Sequence, residues 1–176
     1  PRHGAGPGLT LDVDLSLSSE QEQLVDAFAA LYAKQSPPER VRAAEPLGFD
    51  EVLWGSLLEL GVVAMAVDEA HGGWGASPLD LALVAEQQGR FCAPAPVIEA
   101  QVAARLLARL DAPEASAALD AAVGGGRLLT LGLHPVRAGR AGLVPAAAVA
   151  DQAVLLDGDR LVLVELGDLR QVENLG

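Results

Sequence analysis

The sequence of 176 residues contains little cysteine and few aromatic residues. Its single cysteine, Cys92, excludes an intramolecular disulfide and a cysteine-based metal cluster. We interpret this thiol, at a predicted helix end, as a small buried apolar side chain. Aromatic residues make up only 3% of the chain, so Ala, Leu and Val have to form the core. That composition favours packed helices over an all-β fold.

Positive charge is also scarce. Lys34 is the one lysine among twelve basic residues, and the formal net charge is −12. Nucleic acids and anionic membranes both attract basic surfaces, so we expect neither as a partner. The three histidines, His3, His71 and His134, are too scattered to suggest a zinc site, and we predict no metal. Without an apolar run of about 18 residues or a signal peptide, the sequence predicts a cytoplasmic protein.

Helical spacing of apolar residues characterises residues 18–124, after a loose arm at residues 1–17. Capping residues and prolines divide this region into predicted helices at 19–35, 39–44, 51–60, 78–89, 97–110 and 113–123. Between the third and fourth helices, Val62 to Val67 form a short, partly β-branched run, and we expect extended structure there. A glycine-rich turn follows, from Glu69 to Gly75.

The pattern changes after Gly124–Gly126, which we interpret as a linker between domains. From Arg127 onward the apolar residues cluster in short runs, at 128–133, 153–156 and 161–166. Asp157 and Gly158 separate the last two runs and predict a hairpin. The predicted fold class is therefore α+β, with an all-helical domain at 18–124 followed by a partial antiparallel β domain at 125–176.

Common active-site motifs are absent from the sequence. It contains neither a Gly-x-Ser-x-Gly elbow nor a Gly-Lys-Ser/Thr phosphate loop, and no βαβ repeat predicts a dinucleotide fold. Glu69, Glu86 and Glu99 have the chemistry of a base, but each is more simply a solvated or ion-paired surface carboxylate. We interpret Trp54 and Trp74 as packing residues. No catalytic residue is assigned.

Four segments stand in an informative order: Trp54 to Gly61, His71 to Gly75, Val84 to Arg90, and Val144 to Asp151. This order resembles the acyl-CoA dehydrogenase family. In that family a Trp…Leu-Gly helix leads to a Pro-Glu-x-Tyr-Gly-Gly-x-Gly turn and then to a helix with a Glu-x-x-Gly-Arg ending. The similarity covers residues 18–166, and His71 stands where the family has its tyrosine.

The resemblance implies a helical domain, a central β domain and a C-terminal four-helix domain, the last of which is absent from this chain. Such enzymes remove the α proton of an acyl-CoA with a carboxylate and pass the β hydride to FAD. The usual catalytic glutamate belongs to the C-terminal helices. The resemblance therefore implies a chain that lacks the catalytic base.

The resemblance also implies cofactor contacts. Leu133, His134 and Pro135 stand where the family has a Thr-Glu-Pro strand end, which a flavin-contacting Gly-Ser loop follows. We assign these three residues to cofactor binding. The segment from Pro135 to Val144 is short and lacks the expected hydroxyl donors. FAD is therefore expected to be bound mainly by a partner subunit.

For the acyl-CoA ligand, the resemblance points to two groups of residues. The helix after Pro96 supplies the acyl-side wall, for which we assign Val97, Ile98 and Gln101. Contacts to the phosphates are assigned to Arg137 and Arg140.

Three functions stay open. The first is a subunit of an FAD-dependent acyl-CoA dehydrogenase, acting with a homologous subunit in a homo- or hetero-oligomer. Some bacterial relatives in the breakdown of sterol side chains and CoA esters pair a catalytic subunit with a diverged one, and this chain resembles the diverged one. The second is a structural subunit without its own flavin that completes a partner's active site. The third is a stand-alone helical interaction module.

Overall fold

The computed structural model describes residues 16–45 and 47–167; the rest of the predicted N-terminal arm and the end of the chain lie outside these ranges. Within them, helices precede strands, which confirms the predicted α+β class. The helices are α1 (Ser19–Gln35), α2 (Pro38–Ala43), α3 (Glu51–Glu59), α4 (Pro78–Arg90), α5 (Val97–Leu107) and α6 (Pro113–Val123). The strands are β1 (Leu129–Leu131), β2 (Gln152–Asp157) and β3 (Arg160–Glu165).

Side-chain caps fix where the helices begin. Ser18 and Ser77 open α1 and α4 with capping boxes, in which each serine hydroxyl accepts from a backbone N–H three residues on. Gln21 and Asp80 complete these two boxes and also contact each other, with Gln21 Nε2 donating to Asp80 Oδ1 at 2.9 Å. The starts of α1 and α4 are therefore joined, and the two helices pack along each other.

Residues 62–67 are not extended, so that prediction is wrong. Their backbone N–H groups bond locally: Met65 donates to Gly61 O at 3.0 Å, and the next two residues donate to carbonyls three positions back. The side chains of this segment are all buried. Its apolar character therefore reflects a tight, buried turn rather than a strand, and no residue of it pairs with a described strand.

The sheet is mixed rather than wholly antiparallel, with the strand order β1-β2-β3. Strands β2 and β3 form the predicted antiparallel hairpin, but Asp157 pairs with Arg160, so the loop is Gly158-Asp159. Strands β1 and β2 are parallel, which corrects the antiparallel prediction. The connection between them, residues 132–151, is long enough to return the chain to the same end of the sheet. Strand β3 is an outer strand of the described sheet.

One hydrophobic cluster joins the helices to the sheet. Helix α5 lies at its centre, because Val97, Ala100, Ala103, Ala104 and Leu107 are all buried. The small alanine side chains let α5 approach β1 closely. The cluster continues past the glycine linker into β1 and β2. The domain boundary at the glycine linker stays a prediction.

The side chain of Cys92 is exposed, so its interpretation as a buried apolar residue is wrong. Helix α4 ends just before it, and Cys92 adopts φ 47. Its N–H donates to Gly89 O at 3.1 Å, and the Ala93 N–H donates to Gln88 O at 3.0 Å. This is the left-handed ending of many helices, and it turns the thiol toward solvent.

Candidate functional site

The candidate site lies where β1 and β2 end. Because these strands are parallel, their carboxyl ends meet at one edge of the sheet. Two backbone bonds bind the departing chain to β2: Gly132 N–H donates to Val154 O at 2.9 Å, and Val136 N–H donates to Leu156 O at 2.8 Å. The residues between these bonds therefore form a short loop at the edge of the sheet.

That loop contains the three residues assigned to cofactor binding. Leu133, His134 and Pro135 are all exposed, and 66% of the Leu133 surface is accessible. None of them carries a hydroxyl group. Within the described chain, no backbone partner receives the N–H of Leu133 or His134. The loop thus offers two backbone donors and an imidazole.

The two arginines assigned to phosphate contacts face each other across a tight turn. Arg137 N–H donates to Arg140 O at 2.9 Å, and Arg140 N–H donates to Arg137 O at 3.0 Å. The central residues, Ala138 and Gly139, both have positive φ, 50 and 70, which is the pattern of a type I′ turn. Residues paired in this way project to the same face, so both guanidinium groups leave the turn on one side. Both arginines are exposed, and neither forms an ion pair with a residue in the described ranges.

The three residues predicted to form the acyl wall differ in solvent exposure. Val97 is fully buried. Gln101 is also buried, and its Nε2 donates to Val62 O at 2.9 Å, so it stabilises the turn after α3. Ile98 is 47% exposed and is the one of the three with an open side chain. The structure places Val97 and Gln101 in the core and Ile98 on the surface; their assignment to an acyl site stays a prediction.

A second group of charged residues was not singled out from the sequence. Arg105, on α5, and Arg109, in the turn that follows this helix, line a cleft of about 130 Å³ together with Asp68 and the backbone around Gly75. Asp68 Oδ1 lies 2.6 Å from His71 Nδ1, and this hydrogen bond lowers the pKa of Asp68. The spacing of the two arginines is the sequence signal that could have found this cleft.

The carboxylates considered as bases lie apart from these groups. Glu69 and Glu86 are exposed, and Glu99 is half-buried in the first turn of α5. No cluster of three possible metal ligands occurs among the described residues. None of the helices in the described ranges combines the length and apolar character that a membrane span requires.

The arrangement of helices followed by a small sheet matches that of solved enzyme structures. The crystal structure of the ChsE4-ChsE5 complex from Mycobacterium tuberculosis matches 89% of this chain and 50% of its own, with a TM-score of 0.75 and 27% identity. A variant of the Tcur3481-Tcur3483 steroid ACAD matches 83% of this chain and 48% of its own, with a TM-score of 0.70 and 27% identity. The fold is that of acyl-CoA dehydrogenases.

Sequence comparison gives the same family. The family model for the N-terminal domain of acyl-CoA dehydrogenases matches residues 18–117. Acyl-CoA dehydrogenase IpdE2 from Mycolicibacterium smegmatis is 32% identical over 148 residues, which are 82% of this chain and 45% of that relative. The chain belongs to the acyl-CoA dehydrogenase family, and it spans less than half the length of that curated relative.

Proposed function

We propose that the protein is a subunit of an FAD-dependent acyl-CoA dehydrogenase that oxidises a CoA thioester between its α and β carbons. In this proposal it is the diverged partner of a homologous subunit. The observation that carries the proposal is the turn in which Arg137 and Arg140 present two guanidinium groups at the ends of β1 and β2.

The arginine turn has the chemistry to bind a phosphate of CoA. A guanidinium group donates two parallel hydrogen bonds to a phosphate, and it keeps its charge at all physiological pH values. Both side chains are exposed and have no carboxylate partner in the described chain. The free energy of phosphate binding is therefore not reduced by the loss of an existing ion pair.

The acyl part of the ligand needs a dry, apolar surface. Abstraction of the α proton produces an enolate, which forms readily only where donors stabilise its oxygen and water is excluded. Ile98 and Leu133 are exposed apolar side chains near the start of α5 and the end of β1, respectively. We propose that they form part of the acyl wall and that a partner covers them.

The fit of these residues to the flavin is poor. The loop from Gly132 to Leu143 has no hydroxyl side chain. Its side-chain donors are the guanidinium groups of Arg137 and Arg140, which this proposal assigns to CoA, and the His134 ring. The hydroxyl donors expected at a flavin contact are therefore missing from this loop. We propose that the partner subunit binds most of the FAD and supplies the base.

Two relatives support a paired assembly and a substrate class. ChsE4-ChsE5 is a complex of two different subunits, and Tcur3481-Tcur3483 is described as a steroid enzyme. From these we propose a hetero-oligomer that acts on a CoA thioester with a bulky, steroid-derived acyl group.

Flavin stoichiometry tests the division of labour. The full-length protein is co-purified with its partner, and FAD is measured by absorbance against the concentration of each subunit. One FAD per pair of subunits is expected, and one FAD per subunit would contradict the assignment as a diverged partner.

A second function is favoured by the absence of hydroxyl donors in the loop. In it, the protein carries no part of the flavin site and only completes its partner's pocket. Substitution of Arg137 and Arg140 by Gln distinguishes the two functions. If the turn binds CoA, the KM of the complex for acyl-CoA rises at least tenfold with FAD content unchanged. A purely structural subunit predicts an unchanged KM.

A further inference from the structure

We infer that the cleft between α5 and the glycine-rich turn binds a phosphate group. The cleft is formed by Arg105 and Arg109 on one wall, and by Ala66, Asp68, Gly75 and Ala76 on the other. Nothing in the resemblance or in the proposed function assigns a ligand to these residues. The inference does not depend on the proposed function.

Arg105 is held in place without being neutralised. Its side chain is half-buried, and Nη1 approaches the carbonyl oxygens of Ala66 and Ala76 at 3.5 and 3.4 Å. These distances are at the long limit of hydrogen bonds, so the contacts orient the guanidinium group but leave most of its donors free. No carboxylate oxygen of the described residues lies within ion-pair distance of it.

Arg109 lies in the turn that follows α5. It is exposed, its backbone N–H donates to Leu106 O at 3.1 Å, and its side chain forms neither a hydrogen bond nor an ion pair within the described ranges. Two like charges that line one cleft repel each other, and an anion bound between them relieves that repulsion.

The one carboxylate on the opposite wall offsets only part of this positive charge. Asp68 Oδ1 hydrogen-bonds the His71 ring at 2.6 Å and also accepts from the His71 backbone N–H at 3.1 Å. The His71 hydrogen bond and the charge of Arg105 both lower the pKa of Asp68. Two guanidinium groups and one carboxylate leave a net positive charge in the cleft.

The cleft has a volume of about 130 Å³, which is enough for one phosphate group. The phosphate comes either from free inorganic phosphate or from a phosphate ester such as CoA.

Calorimetric titration of the intact protein with inorganic phosphate, at low ionic strength and pH 7, tests the inference. Arg109→Gln, at an exposed position where the fold does not depend on the side chain, is expected to weaken binding at least tenfold. Asp68→Asn, which keeps the acceptor for the backbone N–H of His71, is expected to strengthen binding severalfold. Arg42→Gln is the matched control, because Arg42 is also an exposed arginine, and it is expected to change nothing.

Titration with CoA identifies the source of the phosphate. If the cleft prefers a phosphate ester, CoA binds more tightly than inorganic phosphate and loses affinity in Arg109→Gln but not in Arg42→Gln. If it prefers free phosphate, only the inorganic ion shows this dependence. The inference is overturned if neither ligand binds, or if Arg109→Gln and Arg42→Gln have the same effect on both. An effect of Arg137→Gln on CoA binding alone would concern the strand-end turn and not this cleft.

Discussion

The indole ring of Trp74 lies directly against the backbone of Gly61. A Cβ atom at position 61 would stand 3.0 Å from Cη2 of the ring and 3.2 Å from Cε2. Cβ atoms in proteins rarely come this close to other atoms. The contact brings together the beginning and the end of the segment that connects α3 and α4. A hydrogen bond also joins these two parts, with Trp74 N–H donating to Ala64 O at 3.0 Å. Trp74 remains 55% exposed, so it is a cover over this turn rather than a core residue.

Gly61→Ala is expected to destabilise the fold by about 2–4 kcal/mol. Two causes add: the methyl group meets the indole ring, and φ at Gly61 is 69, a conformation that alanine disfavours. The measurement is the free energy of urea unfolding. In a Trp74→Ala background the contact with the ring is gone and only the unfavourable φ remains. Gly61→Ala should therefore lower the free energy of unfolding by less in that background.

Gly55→Ala is the matched control. Gly55 lies inside α3, and a Cβ there meets nothing within 4 Å. Because glycine is a poor helix former, this substitution is expected to stabilise the protein by about 0.5–1 kcal/mol. Equal losses at Gly55 and Gly61 would contradict the assignment of the Trp74 contact.

Acid stability depends on Asp50. Its carboxylate caps α3 by accepting from Leu53 N–H at 2.9 Å, and Arg40 Nε and Nη2 donate to it at 2.9 and 2.6 Å. Burial by itself raises the pKa of Asp50, but the hydrogen bonds from Leu53 and Arg40 outweigh it, and the pKa lies below its ordinary value.

Because the folded-state pKa of Asp50 is below the unfolded value of about 3.9, its stabilisation is present above that value and is lost as the pH falls through the folded pKa. Asp50→Asn, which keeps an acceptor for the cap, is expected to cost about 1–2 kcal/mol at pH 7. The difference from the wild type should shrink below about pH 4. Urea unfolding of both proteins at several pH values measures this difference in unfolding free energy. A difference that does not change with pH would contradict the ion pair between Arg40 and Asp50.

The turn between Arg137 and Arg140 contains a strained alanine. Ala138 has φ 50, which costs a non-glycine residue about 1 kcal/mol. Ala138→Asn would create the Asn-Gly pair that favours a type I′ turn. We expect it to stabilise the turn and to leave CoA affinity equal or higher, as measured by unfolding and titration. Ala138→Val, which disfavours positive φ more strongly, is the opposing variant and should reduce both.

Thr130 connects β1 to the long crossover. It is fully buried, and its hydroxyl donates to Pro145 O at 2.5 Å. Thr130→Val keeps the shape but removes the donor, so it is expected to cost about 1–2 kcal/mol in unfolding free energy. Thr130→Ser keeps the hydroxyl and should recover most of the hydrogen bond, although it loses a methyl group. If Thr130→Val lost less unfolding free energy than Thr130→Ser, packing of the methyl group would outweigh this hydrogen bond.

The helices were predictable from sequence because their signals are local. Ser18, Asp50 and Ser77 cap α1, α3 and α4, directly before the starts predicted at residues 19, 51 and 78, and the periodic apolar residues face the core. The run from Val62 to Val67 misled the prediction, since burial on all sides requires the same residue types in a tight turn as in a strand. Contacts from residues outside the run distinguish the two, among them the hydrogen bonds from Gln101 to Val62 and from Trp74 to Ala64.

The sheet and the sites were less predictable because they depend on distant contacts. The parallel pairing of β1 with β2 is decided by the crossover, which carries no regular signal of its own. Arg137 and Arg140 were placed by resemblance, yet their face-to-face arrangement comes from Ala138 at positive φ, which the sequence did not predict. The cleft beside Arg105 could not be predicted, because its other wall is formed by the glycine-rich turn, whose position the sequence does not give.

The outer position of β3 has a consequence for handling the protein. Along its free side no described strand accepts or donates backbone hydrogen bonds, and Leu161 and Val164 are substantially exposed on it. An uncovered strand edge is a template for intermolecular β pairing. The protein alone is expected to form oligomers as its concentration rises, whereas a bound partner that covers this edge should keep it monodisperse.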